Sequence, residues 1–382
     1  MWLSGEFNTI VTAGIPKAES SRYLFKNLNH ILTMGLKQFF NNLASTPTVV
    51  PQIIRIPNNN TGEEDELKVL FEPEKHYFTV RVNEMYLQSK RKWFQEIEPT
   101  VLCITSYIYG GQEIENPFIV GRNLLEANMK ETADGMLFKN TRVAGVHPYA
   151  GGRMVVSMVL CKSVIKDYLS QSLEFIQNVS GVFSENITSL IGNYMKVAKI
   201  VIGGVDKLLD SKELDPLFGF RMEFDRDAED KFSPGYFVIV KSQQQYDASK
   251  FYLKDKRLFF GNSADTAEPF TQEEYILFSI TCSDERSDLT TLPFYNSYQL
   301  ILDQLKENEI SQDLKDKIKN MLRILNIEMH QSPDLTEPQA KVLIQKYINE
   351  VTELIEPKFN FGASKSIKKD FWDQIDSQIE KM

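Results

Sequence analysis

The chain has 382 residues, enough for two or three domains at about 150 residues each. Hydrophobic residues make up 42% and charged residues 25%, a mixture that excludes disordered, collagen-like and coiled-coil classes. Forty-three basic against fifty-two acidic groups leave a net charge of −9, which sets the chain as a whole against nucleic-acid phosphate, and three cysteines cannot build a disulfide framework.

The first residues, Met1 to Phe7, show no basic n-region and no apolar h-region and include Glu6, so no secretory signal is read there and a cytoplasmic location is expected. No run reaches about 18 uninterrupted apolar residues. The nearest, Ile187 to Val205, is broken by Asn193, Lys196 and Lys199. The glycosylation triplets at Asn59, Asn178 and Asn186 then carry no meaning.

In chain order, residues 1–46 form an N-terminal helical segment, with Leu24, Leu28, Ile31 and Met34 at helical spacing. Residues 47–163 read as a β-sandwich-like module. Its strands are expected around Ile53–Ile56, Leu67–Phe71, Tyr77–Arg81, Val101–Tyr107 and Met154–Cys161, separated by turn signals at 57–60, 72–73 and 110–111. Residues 164–212 hold a 3.6-residue apolar repeat, predicting one long helix or a pair that breaks near Gly181.

A second β-sandwich-like module follows over 213–293, with strands expected at Phe218–Phe224, Tyr236–Val240, Phe251–Leu253, Leu258–Phe260 and Tyr275–Cys282. Gly219, inside the first of these, suggests a bulge. Residues 294–382 return to helical spacing. Thr336-Glu-Pro338-Gln339 is a capping-box entry into one helix, and 366–381 is amphipathic around Phe371, Trp372 and Ile375. The expectation is thus an α+β multi-domain chain, two antiparallel sandwich-like modules separated by a long helical segment, with helices at both ends. No βαβ rhythm of a nucleotide-binding sheet is present.

The chemistry is sparse. Among four histidines only His147 lies in a glycine-rich stretch, Gly145 to Gly152; without a partner motif it reads as part of a tight connection between strands. No nucleophile elbow occurs, and Cys103, Cys161 and Cys282 sit in strand-like runs where core packing accounts for them. Neither Cys-x-x-Cys nor His-Glu-x-x-His is present, nor either glycine-rich phosphate loop. Gly110-Gly111-Gln112 is similar to a tripeptide of peptide-release factors, but nothing else accompanies it and it reads as a strand-end turn.

Three further sets are candidates for contacts. Asp225 and Asp227 follow one expected strand, and Asp284 and Asp288 another. If the two loops share one end of a sandwich, their carboxylates could hold calcium or magnesium, the one cofactor class the sequence suggests. Lys90, Arg91 and Lys92 form the densest basic cluster, suited to an anion. Gly181, Gly192 and Gly203 recur every 11 residues, so with Gly204 they fall along one helix face; Lys196 and Lys199 could reach partner groups or lipid headgroups.

The missing catalytic signatures point to a non-enzymatic intracellular binding, scaffold or regulatory protein acting through protein partners, with no nucleic-acid role. A masked membrane-perturbing effector working through 181–209 is the alternative, and a divalent-cation-dependent enzyme the third reading. The charge is uneven: residues 213–293 carry nine basic and sixteen acidic groups, while 1–163 is nearly balanced. A cation or basic partner is therefore expected to meet the second β-block.

Overall fold

The computed structural model describes residues 51–63, 66–88, 91–92, 95–121, 129–132, 135–138, 141–164, 214–224 and 233–355. All belong to one compact unit, Val49–Met382. The N-terminal helical segment, the long 164–212 repeat past its first residue, and 356–382 lie outside the described residues.

The strands are β1 (Gln52–Arg55), β2 (Tyr77–Tyr86), β3 (Arg91–Lys92), β4 (Gln95–Tyr109), β5 (Gln112–Val120), β6 (Met129–Thr132), β7 (Gly135–Phe138), β8 (Thr141–Pro148), β9 (Met154–Val164), β10 (Leu214–Phe224), β11 (Gly235–Val240), β12 (Phe251–Lys254), β13 (Arg257–Phe260), β14 (Glu268–Pro269) and β15 (Tyr275–Ser283). The helices are α1 (Pro293–Glu307), α2 (Gln312–Gln331) and α3 (Glu337–Ile355). The fold is α+β, built on antiparallel sheets. Among the described residues no helix is long and apolar enough to cross a membrane.

One five-stranded sheet runs β1-β11-β15-β2-β8, and a second runs β10-β9-β4-β3 with β5 also paired to β4. Both sheets draw strands from the two blocks that the sequence suggested were separate modules. β2 pairs with β15 from Tyr77↔Ser283 to Tyr86↔Tyr275, and β9 with β10 from Ser163↔Leu214 to Met154↔Phe224. The layout of two independent sandwiches is therefore corrected: the described strands interleave. Alternation tells which face of a strand is apolar, but not which distant strand pairs with it.

The two sheets enclose one core. β2 gives Phe78, Val80, Val82 and Met85, β9 gives Met154, Val156, Met158 and Leu160, and Phe220, Phe237 and Phe278 stack across the sheets. A bulge in β2 shifts the register between Val82 and Glu84. It moves the core-facing positions from even to odd numbers, which places Glu84 and Tyr86 on the other face. There a small sheet, β12-β13-β14, closes a second core with Phe251, Leu258, Phe270, Tyr275 and Leu277.

Several local expectations change. The run 67–71 forms only a short 3-10 turn (Glu66–Lys68) followed by exposed Val69 and Leu70; its alternation finds no ladder partner. The irregularity in β10 falls between Pro216 and Phe218 rather than at Gly219. Gly110 and Gly111 do turn, both at positive φ, between β4 and β5. The stretch around Gly145 proves to be strand β8, and at φ +89° with a Cβ position 2.3 Å from the Phe78 carbonyl oxygen, Gly145 admits no side chain.

The helical tail has its own core. Phe294, Tyr298, Ile301 and Leu305 of α1 meet Ile318, Leu322, Leu325 and Met329 of α2, and Leu343, Tyr347 and Val351 of α3. Ser311 caps α2 by accepting from the Leu314 amide at 3.1 Å. Thr336 caps α3 by accepting from the Gln339 amide at 3.4 Å, but the reciprocal half of the capping box is not made: the Thr336 amide donates to Tyr77 and the Gln339 side chain bonds the Arg286 backbone.

Phe278 lies at the centre of the stacked aromatics, so Phe278→Ala should lower stability by about 3–5 kcal/mol. Urea unfolding checks this; a loss below about 1 kcal/mol would remove the stack from the main core.

Candidate functional site

The strand register assembles the chief cluster of ionisable groups. At the start of β2, Tyr77 stands opposite Ser283 of β15 on one side and Pro148 of β8 on the other. The segment just beyond β15, carrying Arg286, and the end of β8, carrying His147, are thereby brought to one end of the sheet. The loop between α2 and α3 lies against this end and supplies Asp334 and Thr336.

All five side chains are buried. The Thr336 amide donates to the Tyr77 hydroxyl oxygen at 2.8 Å, and the Tyr109 hydroxyl donates to Asp334 Oδ2 at 2.9 Å. Arg286 Nη1 donates to the Asp334 carbonyl at 2.8 Å and to its Oδ1 at 3.3 Å, while Nε donates to Asp288 Oδ1 at 2.7 Å. The Arg286 and Gln339 groups exchange two more bonds: the Arg286 amide donates to Gln339 Oε1 at 3.3 Å, and Gln339 Nε2 to the Arg286 carbonyl at 3.1 Å.

His147 is packed among Tyr107, Tyr109 and Phe78, with ring centroids 5.2, 5.0 and 6.0 Å away. Its Nδ1 stands 3.8 Å from Asp334 Oδ1, and this carboxylate favours the protonated ring. Burial is the larger influence and holds the imidazole below the usual histidine range; Arg286 and Arg142 push the same way. Burial opposes charge on Arg286 too, but the Asp288 and Asp334 carboxylates keep it firmly protonated. Burial likewise works against the Asp288 carboxylate, and Arg286 more than offsets it, so Asp288 falls below its ordinary value.

A second buried charge lies at the far end of β2. Glu84 Oε2 accepts from the Leu258 amide at 2.7 Å, Arg257 Nε stands 3.7 Å from Oε1, and the Tyr275 hydroxyl bonds to the same carboxyl. Burial raises Glu84 above the ordinary carboxylate range in spite of these partners. This carboxyl pins the β12–β13 hairpin to the larger sheet.

The residues singled out in the sequence fare differently. Asp288 is engaged by Arg286 and by Arg142, the latter at 3.7 Å, and Asp284 is exposed with its Oδ1 3.3 Å from His76 Nε2. Asp225 and Asp227 lie outside the described residues, as do Lys90, Gly181, Gly192, Lys196, Lys199, Gly203 and Gly204. Arg91 and Lys92 form strand β3, paired to Glu96 and Gln95. Among the described residues no three His, Cys, Asp or Glu side chains gather as a metal would require. Burial pushes the Cys282 thiol up to about 12 and Cys103 higher still, so both are poor nucleophiles.

His147 entered as a loop residue and is instead a buried strand residue with a carboxylate beside it. Asp334, Tyr77 and Tyr109 carried no signal in the sequence, because their partners are remote in the chain. Arg286 did carry one: a lone cation among Asp284, Glu285 and Asp288. A cleft of about 310 Å³ opens beside the cluster, between Gly110–Gly111 and Met329, His330, Ser332 and Glu337. No known protein family matches this chain, and neither a similar characterised protein nor a similar solved structure was found.

Asp334→Ala removes the carboxylate from Arg286 and Tyr109 together and should cost about 3–5 kcal/mol, read by urea unfolding; a neutral result would show the cluster to be unimportant for docking the tail. Glu84→Gln tests the other end. A carboxyl raised in the folded state contributes stability at acid pH that is lost as pH rises through its folded value. Relative to wild type, the Gln variant should therefore gain stability as pH rises above the ordinary carboxylate range, and parallel pH curves would contradict the burial argument.

Proposed function

We propose that the protein is a non-enzymatic binding protein that meets a protein partner through its helical tail. One observation carries this reading. Of the eight large apolar residues left exposed among the described residues, five lie on the three helices: Leu300 on α1, Ile324 and Ile327 on α2, and Val342 and Leu354 on α3. Val342 is 64% exposed and Leu300 58%, although the same helices bury a continuous apolar stripe against one another. Apolar groups presented on an already packed bundle suit a partner with a complementary apolar surface.

The chemistry of the buried clusters fits the same reading. Arg286, Asp334 and Glu84 each hold neighbouring chain segments together, a structural use of charge. The readings that rest on 181–209 or on Asp225 and Asp227 draw on segments outside the described residues, and nothing in the geometry favours them over this one.

The test is site-specific photocrosslinking in the cells that express the protein. A crosslinker at position 324 or 342 should give discrete higher-mass adducts that one at exposed Asp265 does not. Replacing Ile324 and Val342 together by Asp should abolish the adduct formed from position 327 while moving the thermal midpoint by no more than about 2 °C. Equal labelling from 265 and from the helix positions would end the proposal.

A further inference from the structure

The second sheet ends on β10, which pairs with β9 on one side. Among the described residues no strand pairs with its other edge. Of the strands that end the two large sheets it is the longest, at 11 residues. Every second residue of such a strand turns its N–H and C=O away from the sheet, toward whatever lies beyond the edge.

Proline, a bulge or a lysine commonly blunts an edge of this length. β10 has all three, gathered at its first end: Pro216, the register shift between Pro216 and Phe218, and Lys241, whose Nζ donates to the Leu217 carbonyl at 3.0 Å. The stretch Phe218–Phe224 has no proline and no register shift. Its side chains alternate. Phe218, Phe220 and Phe224 are buried in the sandwich core, and Met222 packs against the same core but is only partly buried. The core is thus less fully covered at Met222 than on either side of it. Arg221 and Glu223 are exposed on the opposite face, where Arg221 Nη2 donates to Glu223 Oε1 at 2.6 Å and Arg153 Nη1 stands 3.6 Å from Glu223.

This pattern is complementary to itself. Two β10 strands laid antiparallel, with the two-fold axis at Met222, place Arg221 of each copy opposite Glu223 of the other. Phe220 then stands opposite Phe224, and Met222 meets its own copy over the thinly covered part of the core. Opposite charges on one face and aromatic pairs on the other both stabilise a ladder. The neighbouring registers do not. An axis at Arg221 sets two guanidiniums face to face, and an axis at Glu223 sets two carboxylates face to face. A slip of one residue turns the phenylalanines of one copy toward the charged face of the other.

We propose that β10 is a self-association edge: two copies of this chain pair antiparallel through Phe220–Phe224 and join their second sheets into one. Backbone hydrogen bonds and the covering of Met222 supply the attraction, and the Arg221–Glu223 pairs select the register. The edge is separate from the helical tail, so the pairing does not depend on the partner proposed for that surface.

Sedimentation velocity of the full chain over a dilution series tests it. The wild-type chain should dimerise reversibly with a constant of about 100 μM or tighter. Arg221→Glu and Glu223→Arg each turn two attractive cross-strand pairs into two repulsive ones, so each alone should weaken the dimer about tenfold or more. An equimolar mixture of the two variants restores opposite charges at both positions and should recover a dimer about as tight as the wild type. Both variants should keep the thermal midpoint within about 2 °C, since the changed side chains are exposed.

Three outcomes would overturn the proposal: a wild-type chain that stays monomeric at about 100 μM, single variants that dimerise as the wild type does, or a mixture no tighter than the single variants. Should a charge variant fail to fold, cysteine crosslinking decides instead. Met222→Cys, on the axis, brings two thiols within disulfide reach and should yield a covalent dimer on mild oxidation, whereas Arg221→Cys, diagonal to its own copy, and the wild type should not. Equal crosslinking from 221 and 222, or none from 222, would end it.

Discussion

The antiparallel pairing of β2 with β15 is the constraint on which the rest of the structure depends. It joins residues about as far apart in the chain as the described sheets allow, from Tyr77↔Ser283 to Tyr86↔Tyr275. Once that register is set, the segment after β15 must emerge beside the start of β2, and the hairpin β12–β13 must cover the end of β2. Both buried ionic clusters follow from it. Arg286 reaches Asp334 because it lies three residues beyond Ser283, and Glu84 meets Leu258 and Arg257 because the β2 bulge turns it away from the sandwich core. A slip of one residue would turn Phe78, Val80 and Val82 outward and dissolve both sites together.

The two ends of β2 respond to protons in opposite senses. Burial lowers His147 and raises Glu84, so each group is driven toward its neutral form. Acidification below about pH 6.5 withdraws what neutral His147 contributes, whereas the contribution of protonated Glu84 is withdrawn as pH rises. Between the ordinary carboxylate and histidine values the two slopes oppose each other. The partners also differ: Glu84 is held by the Leu258 amide, the Tyr275 hydroxyl and the nearby Arg257 guanidinium, while His147 is packed among aromatic rings with the Asp334 carboxylate beside it.

Much of the secondary structure was legible in the sequence. The alternation in Phe218–Phe224 and the continuous run Met154–Cys161 correspond to β10 and β9, and Thr336 caps α3, although the Gln339 side chain turns to Arg286 instead of closing the box. Legibility failed where pattern and partner part company. The alternating run 67–71 has no strand beside it, and β8 was obscured by the glycine that its close approach to Phe78 demands. The interleaving of the two blocks could not be read, because inter-strand pairing leaves no local mark. The site was less legible still. Asp334 lies in a short polar connection that looks like any turn, and of the acidic residues at 284–288 it is Asp288 that bonds the Arg286 side chain while Asp284 stays exposed beside His76.

The Arg286 guanidinium bears on how the tail is attached. An arginine held by two carboxylates has a fixed direction and several hydrogen bonds, so it defines one orientation of the α2–α3 loop against the sheet end. An apolar contact of equal area would hold the tail as firmly but with less directional preference. The polar contacts thus give the α2–α3 loop a defined geometry against the sheet end. The helices that it orients carry most of the described exposed apolar residues, so this geometry also fixes where those residues face relative to the sandwich. Because α1, α2 and α3 share one core of their own, those exposed residues are held in fixed positions relative to one another.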